Sequence, residues 1–162
     1  MTNKTEFYQL IEPYQHHPKV LDMKTCKHHG IDRYDHSFRV AYHTYKVTKR
    51  WKLNYQSATK AAFLHDFFID EVKEENAIGR LQKHPAIAAK NAKDYFGLTE
   101  MEENMIQTHM FPVTMRPPKT REGWILDVVD DVASIYERFI SVKSKIPATA
   151  NIIIMLLITM IK

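Results

Sequence analysis

The sequence predicts an all-α fold, and three observations favour this fold class. Apolar residues recur at helical spacing between Asp35 and Trp51, which places them on one face of a helix. The segment Thr99-Glu-Met-Glu102 has the pattern of a helix capping box. The chain contains no stretch of alternating apolar and polar residues, no internal repeat and no glycine-rich phosphate loop.

Length and composition favour one soluble domain. The 162 residues suffice for a single core, so we expect a single-domain helical bundle over residues 1–162. The formal charge of +4 suits anionic substrates, but no run of Lys and Arg is dense enough to predict a stable nucleic-acid partner. The lone Cys26 fits a reducing compartment, and the polar start of the sequence does not resemble a signal peptide. We therefore expect a cytoplasmic protein.

The first elements are two helices separated by a loop. Residues 5–23 predict a short helix that breaks at Pro13, with another turn before Pro18. Residues 24–35 predict a loop, because Gly30 lies within a polar stretch. The periodic segment 35–51 then predicts a long helix.

The next helix carries a strongly apolar run. Residues 54–57 predict a turn, and Ser57 is a suitable N-cap for a helix that includes residues 61–68. The acidic residues 70–75 predict an exposed segment after this helix.

Two further helices are marked by their termini. His84-Pro85 predicts the start of one helix, because proline is favoured in a first turn, and Gly97 predicts its end. The capping box at Thr99 begins another helix, which reaches about His109.

The C-terminal third comprises a loop, a long helix and an apolar tail. Residues 112–123 predict a proline-rich basic loop, and residues 124–142 predict the last long helix. The tail, residues 146–162, predicts an apolar helix. Its uninterrupted apolar part is about half of the ~20 residues that span a bilayer, so we expect no membrane span. We expect it to pack on the core or, because it is apolar on all sides, to form a homodimer contact.

Histidine and aspartate residues in or beside apolar segments are the strongest functional signal. His65-Asp66 closes the apolar run 61–64, and a buried imidazole and carboxylate are costly to desolvate unless a partner such as a cation pairs with them. A helical bundle can build a metal site when its helices each project a ligand inward. Nitrogen and carboxylate ligands suit Fe, Mn, Co, Ni or Zn better than Mg or Ca.

These residues resemble the HD-domain superfamily of metal-dependent phosphohydrolases. The superfamily pattern matches His36, His65-Asp66 and Asp130 on successive helices. The resemblance covers residues 27–137. Within this range the sequence looks most like a bacterial subgroup of the superfamily. Two additional histidines, in His-Pro-Ala-Ile-Ala and Gln-Thr-His-Met-Phe-Pro, resemble those of the superfamily's dinuclear members: His84 and His109.

The resemblance implies two metal ions, most simply Fe or Mn, with Co, Ni and Zn as other candidates. His36, His65, Asp66 and Asp130 would hold the first metal, and Asp66 would bridge to a second metal held by His84 and His109. Asp66 is thus expected to be catalytic as well as a ligand. Water bound between two such metals is acidic enough to attack a phosphoryl group as hydroxide.

The identity of the aspartate ligand near the C-terminus is open from the residues alone. Asp127, Asp130 and Asp131 all follow Trp124-Ile-Leu, and Asp130 lies closest to the apolar stripe. The family context also favours Asp130, although the sequence departs from it by having an acidic residue at position 131.

Three basic residues are candidates for contact with substrate phosphate. Arg39 lies one helical turn after His36 and on its face; the alternative is a salt bridge to an acidic neighbour. Lys119 and Arg121 lie in the loop between two ligand-bearing helices, where the alternative is simple solvation. Arginine holds phosphate in a bidentate fork, and lysine supplies a compact charge.

The leading functional hypothesis is a metal-dependent phosphohydrolase. Its substrate is expected to be a small phosphorylated metabolite, most simply a nucleotide, because the chain has no room for a separate recognition domain. The first alternative is a di-iron oxygenase, since some superfamily members use the same ligand order for that chemistry. The second alternative is a non-catalytic module that binds metal or nucleotide.

Overall fold

The computed structural model describes residues 2–28, 31–68 and 77–145, and it has the all-α fold that the sequence predicts. A 3-10 turn, Asp22–Thr25, precedes the only strands of this described part, β1 (Lys27–His28) and β2 (Ile31–Asp32), which pair antiparallel. The acidic segment 70–75 and the apolar tail 146–162 lie outside the described residues. The α-helices within the described ranges are α1 (Asn3–Gln15), α2 (Pro18–Leu21), α3 (Arg33–Arg50), α4 (Tyr55–Leu64), α5 (Ala77–Phe96), α6 (Glu100–Thr108) and α7 (Arg121–Lys145).

The N-terminal elements differ from the prediction in three places. The predicted break at Pro13 is wrong, because α1 continues through this proline to Gln15, although the proline lacks the N–H of one helical hydrogen bond. The next helical turn begins at Pro18, after the N-cap His17, instead of ending before it. The predicted loop 24–35 contains the β1–β2 pair and the start of α3, which Asp32 caps by accepting the Asp35 N–H at 2.8 Å.

The starts of three later helices also differ from the prediction. Asn54, and not Ser57, is the N-cap of α4, because its side-chain oxygen accepts the Ser57 N–H at 3.1 Å. His84-Pro85 does not begin a helix, since α5 is already helical at Ala77 and continues through the proline. Helix α7 begins three residues before the predicted position, where the Thr120 hydroxyl accepts the Gly123 N–H at 3.1 Å.

Two predicted helix termini are confirmed. Both hydrogen bonds of the capping box are present at the start of α6, where Thr99 and Glu102 each accept from the other's backbone N–H. Helix α5 ends before Gly97, whose φ of +60° is the left-handed conformation that glycine adopts without a Cβ penalty.

Helix α3 lies at the centre of the fold, packed against α4 and α7, while α6 packs against α4, α5 and α7. Helix α1 covers the other side, where the buried ring of Phe7 meets those of Phe38, Tyr42 and Tyr45 at centroid distances of 5.1–5.7 Å. The core formed by these helices brings the first turns of α3, the ends of α4 and α6, and the middles of α5 and α7 towards one another. No helix in the described part of the chain is long and apolar enough to cross a membrane.

Candidate metal centre

Polar side chains from five helices converge inside the bundle, although up to 94 residues separate two that are in contact. All are buried, with at most 7% of the residue surface exposed, and they are the histidine and aspartate residues that the sequence analysis proposed as ligands: His36, His65, Asp66, His84, His109 and Asp130.

Helix ends explain how some of these residues face a common point. Neighbours on a helix differ by about 100° in direction, so two adjacent residues of a regular helix cannot both point inward. His65 is the C-cap of α4, and Asp66 follows the last helical turn. His109 is likewise the C-cap of α6. The chain therefore turns at each of these positions and directs the side chains towards the same interior point.

The imidazole rings of three histidines are oriented by backbone carbonyls. His65 Nδ1 lies 2.8 Å from the Ala62 carbonyl oxygen, and His109 Nδ1 lies 2.7 Å from that of Ile106. His84 Nδ1 lies 3.2 Å from the Arg80 carbonyl oxygen. A carbonyl can only accept, so each Nδ1 carries a hydrogen, and the Nε2 atom of the neutral ring presents a lone pair to the cluster.

Two of these Nε2 atoms face each other at close range. His84 Nε2 and His109 Nε2 are 3.0 Å apart. Burial lowers the pKa of both imidazoles, and the pKa of His109 falls to about 3, so neither ring gains a proton readily near neutral pH. Two lone pairs at this distance repel unless a cation lies beside both, and this pair therefore fits a metal ion.

The two carboxylate oxygens of Asp66 face different histidines. Oδ1 lies 3.4 Å from His84 Nε2 and 3.8 Å from His109 Nε2, whereas Oδ2 lies 3.9 Å from His65 Nε2. Ligands of one metal at bond lengths near 2.1 Å lie roughly 3.0–3.4 Å apart, so a modest contraction would satisfy an ion on either side of Asp66. The buried His65 Nε2 atom has no hydrogen-bond partner among the described residues, which also fits a role as a metal ligand.

Three sets of donor atoms in the described residues are compact enough to hold a metal. Within each set the donor atoms lie within 4.8 Å of one another, and Asp66 belongs to two of the sets. The sets are His36, His65 and Asp66; His65, His109 and Asp130; and Asp66, His84 and His109.

Among the three candidate aspartates, the structure brings Asp130 to the cluster. Its Oδ1 atom lies 2.9 Å from His36 Nε2 and 3.6 Å from His65 Nε2. Although burial raises the pKa of this carboxyl, the adjacent His65 and His36 hold it well below the usual range. Asp131 is exposed, and Asp127 instead accepts the Phe111 N–H at 3.0 Å.

A family model described as HD domain matches residues 33–135, which is 103 of the 162 residues. The chain belongs to the HD-domain family. This family consists largely of metal-dependent phosphohydrolases, and its members bind divalent metals. The matched range contains all six residues of the buried cluster. No curated protein and no solved structure matches the chain.

Glu137 lies two residues beyond the range that the family model matches, and the sequence analysis did not assign it a role. It is 3% exposed, and its Oε2 atom accepts from His36 Nδ1 at 2.9 Å while Oε1 is ion-paired with Arg39. Burial opposes ionisation, but the hydrogen bond from His36 and the charges of His36 and Arg39 keep the pKa of Glu137 below its usual value. The seven-residue spacing from Asp130, two helical turns, was the signal available in the sequence.

The three basic residues predicted to contact phosphate lie in different surroundings. Arg39 forms the salt bridge that the sequence analysis gave as its alternative, with Glu137 as the acidic neighbour. Lys119 and Arg121 are exposed, and within the described chain their side chains make no hydrogen bond or ion pair. Arg121 precedes Asp130 by nine residues, about 13 Å along α7, so the structure does not bring it to the cluster.

A different arginine lies beside the histidine cluster. The guanidinium carbon of Arg33 is 3.7 Å from the centroid of the Phe68 ring, and that ring is 5.3 Å from the ring of His84. Arg33 Nη1 donates to the Phe68 carbonyl oxygen at 2.6 Å, while its buried Nε has no hydrogen-bond partner in the described part of the chain. The sequence signal was its position three residues before His36, on the same helix face.

Proposed function

We propose that this HD domain is a metal-dependent phosphohydrolase that cleaves a phosphoester or phosphoanhydride of a small phosphorylated metabolite, with a nucleotide as the first candidate. The observation that carries the proposal is the buried pair of Nε2 atoms on His84 and His109, 3.0 Å apart and facing an oxygen of Asp66. Structural histidines are normally satisfied by hydrogen bonds, whereas this arrangement places nitrogen lone pairs around a common point.

The six clustered residues would hold two metal ions. Two donor sets share Asp66, so this aspartate is the proposed bridge between them. The mixture of imidazole and carboxylate donors favours iron or manganese, with cobalt, nickel and zinc as further candidates. When bound, the metals supply an acidified water for attack and stabilise the charge of the phosphoryl group. The proposed ligands are His36, His65 and Asp130 on one side of Asp66, and His84 and His109 on the other.

The protein's own part is to orient these ligands and to hold the substrate anion. Backbone carbonyls and Glu137 fix the imidazole rings with Nε2 towards the centre. We propose Arg33 as a phosphate contact, because its stacked guanidinium lies one ring away from His84 and its Nε is available to donate. Arg39 forms an ion pair with Glu137. Lys119 and Arg121 could contact phosphate only if the substrate extends towards the start of α7.

The experiment compares the metal content and phosphatase activity of the wild-type protein with those of Asp66→Ala. We expect about two equivalents of iron or manganese in anaerobically purified wild-type protein, with release of phosphate from at least one nucleotide. Asp66→Ala should fold but lose most of its metal and activity. Asp131→Ala is the matched control, because this aspartate on α7 is exposed and should affect neither property.

Three outcomes would contradict the proposal. Metal and turnover retained in Asp66→Ala would exclude the bridging role. Oxygen consumption by the iron-loaded protein, without hydrolysis of any phosphorylated compound, would favour the oxygenase hypothesis. Full metal content with no turnover on a broad panel of substrates would favour the non-catalytic binding module.

A further inference from the structure

Helices α3 and α7 form the two walls of an open groove. Helix α3 contributes Arg39, His43 and Val47, which follow one another at intervals of four residues and therefore form one stripe along the helix. Helix α7 contributes Val132 and Tyr136 with the same spacing. The groove has a volume of about 580 Å³, which lies within the range of pockets that bind small molecules.

A second groove extends the first along the same two helices. It has a volume of about 740 Å³, shares Val47 and Val128 with the first, and reaches Trp51 and Trp124. The twelve residues from Arg39 to Trp51 correspond to about 18 Å along α3. The two grooves therefore form one elongated channel, which we call the α3–α7 groove, with Arg39 at one end and the tryptophans at the other.

The ion pair at the Arg39 end presents its positive member to solvent. The Arg39 side chain is 35% exposed, whereas the side chain of its partner Glu137 is only 1% exposed. Arg39 donates to Glu137 through Nη1, and a guanidinium group has five N–H donors in all. The remaining donors of Arg39 are therefore suited to a second carboxylate, one that lies in the groove.

Two cations act on the imidazole beside Arg39. His43 is exposed on α3; partial burial lowers its pKa, and the positive charges of Lys46 and Arg39 lower it further. Among the described residues that line either part of the α3–α7 groove, none is acidic. This end of the groove is therefore complementary to a negative charge.

The walls between the two ends are apolar and accessible. Val128, Val132 and Tyr136 are 52–61% exposed, so covering them would remove a contiguous apolar surface from water. A wholly apolar occupant would also remove water from Arg39 and His43 without replacing their hydrogen bonds, which is costly. An occupant with an apolar chain and an anionic end satisfies both requirements.

We propose that the α3–α7 groove binds an amphiphilic anion, a single alkyl chain that ends in a carboxylate. The carboxylate accepts hydrogen bonds from Arg39 and His43, and the chain lies past Val47 towards Trp51 and Trp124. This proposal does not rest on the phosphohydrolase activity, because the residues that line the groove are distinct from the six of the buried cluster.

Titration calorimetry of the full-length protein with decanoate, below the concentration at which decanoate forms micelles, tests the proposal. We expect saturable binding. Octanoate is shorter by two methylene groups and should bind about tenfold more weakly, because each buried methylene contributes to affinity. Decyltrimethylammonium has a chain of the same length with a cationic end, and it should bind at least about tenfold more weakly than decanoate.

Two variants with matched controls locate the site. Val132→Asp places a negative charge on the groove wall and should weaken decanoate binding at least about tenfold, whereas Ile78→Asp should not, although Ile78 is 64% exposed against 61% for Val132. His43→Glu places a negative charge beside the carboxylate and should weaken binding at least about fivefold. His16→Glu is its control, because His16 is an exposed histidine at the end of α1 and should not affect binding.

Four results would overturn the proposal. The first is the absence of saturable decanoate binding to the wild-type protein. The second is equal affinity for decanoate and decyltrimethylammonium, which would indicate unspecific apolar adsorption. The third is an affinity within about twofold of the wild-type value in both Val132→Asp and His43→Glu, each verified as folded by its thermal transition. The fourth is loss of decanoate binding in Asp66→Ala, which would place the carboxylate at the buried cluster instead of in the groove.

Discussion

The contact between Glu137 and His36 offers the sharpest test of the proposed metal site. Glu137 is buried on α7 and accepts from His36 Nδ1 at 2.9 Å, which leaves His36 Nε2 directed at Asp130 and the centre of the cluster. Replacing Glu137 with glutamine keeps the size of the side chain but removes its negative charge. The substitution therefore weakens the interaction that orients the ring, and it lowers the basicity of His36 Nε2.

The expected effect is a loss of metal affinity. A buried hydrogen bond to a charged group contributes about 1.5–3 kcal/mol, and loss of a carboxylate behind a histidine ligand weakens metal binding about 10–100-fold. We expect the metal dissociation constant of Glu137→Gln to rise by that factor, which equals about 1.4–2.8 kcal/mol. Competition with a fluorescent chelator, or the metal-dependent shift of the unfolding midpoint, measures the change.

Glu122→Gln provides a matched control on the same helix. Glu122 is also buried, and its carboxylate accepts the Asn54 N–H at 2.9 Å, but it precedes Asp130 by eight residues, about 12 Å along α7. This variant should lose stability and keep its metal affinity. If Glu137→Gln binds metal within about twofold of the wild-type protein, or no more weakly than Glu122→Gln, the positioning role of Glu137 is refuted.

Three further predictions concern substrate binding and pH dependence. Arg33→Ala should raise KM for a phosphorylated substrate about tenfold or more with metal content unchanged, whereas an unchanged KM would remove Arg33 from the site. Burial, with the nearby Asp131 and Asp130, raises the pKa of Asp127 to about 7 from 3.8, so the chelated protein should lose stability as the pH rises from about 4 through 7. Urea titrations at several pH values should show this loss in the wild-type protein and not in Asp127→Asn. An equal dependence of the free energy of unfolding on pH in the two proteins would contradict the prediction. Hydrogen bonds from Lys49, Tyr55 and Tyr45 lower the pKa of Glu6 to about 2 from 4.5, so its contribution is present above pH 4.5 and is lost as the pH falls towards 2. Glu6→Gln should therefore flatten the acid limb of the stability curve, and an unaltered acid limb would argue against the contact.

The fold class was predictable from the sequence because periodicity and caps are local signals. The capping box at Thr99 needs only residues within one turn, and the structure has both of its hydrogen bonds. Two of the incorrect boundaries share a cause: a proline was taken as a helix terminus at Pro13 and at Pro85, yet packing of the helix around each compensates for one lost backbone hydrogen bond.

The candidate site was predictable only in part. The order of three ligand candidates along the chain is distinctive: His36, His65 and Asp66. All three lie within the range that the family model matches, residues 33–135. Spacing places Arg33 and Glu137 on the faces of ligand-bearing helices, but it does not identify their roles, because each role depends on a partner distant in sequence. Arg33 meets Phe68 across 35 residues, and Glu137 meets His36 across 101. No local pattern encodes contacts of this length.

The sequence by itself determined the helical class, the family and the set of residues able to bind a metal, because these follow from residue type, spacing and order. Tertiary structure decided which aspartate joins the histidines, which arginine lies beside them and which face of α7 the described residues leave exposed. Asp127, Asp130 and Asp131 are chemically identical and lie within two turns of one helix. Only the packing of α7 against α3 directs Asp130 to His36, because the rotation of a helix about its axis is fixed by the neighbours it packs against.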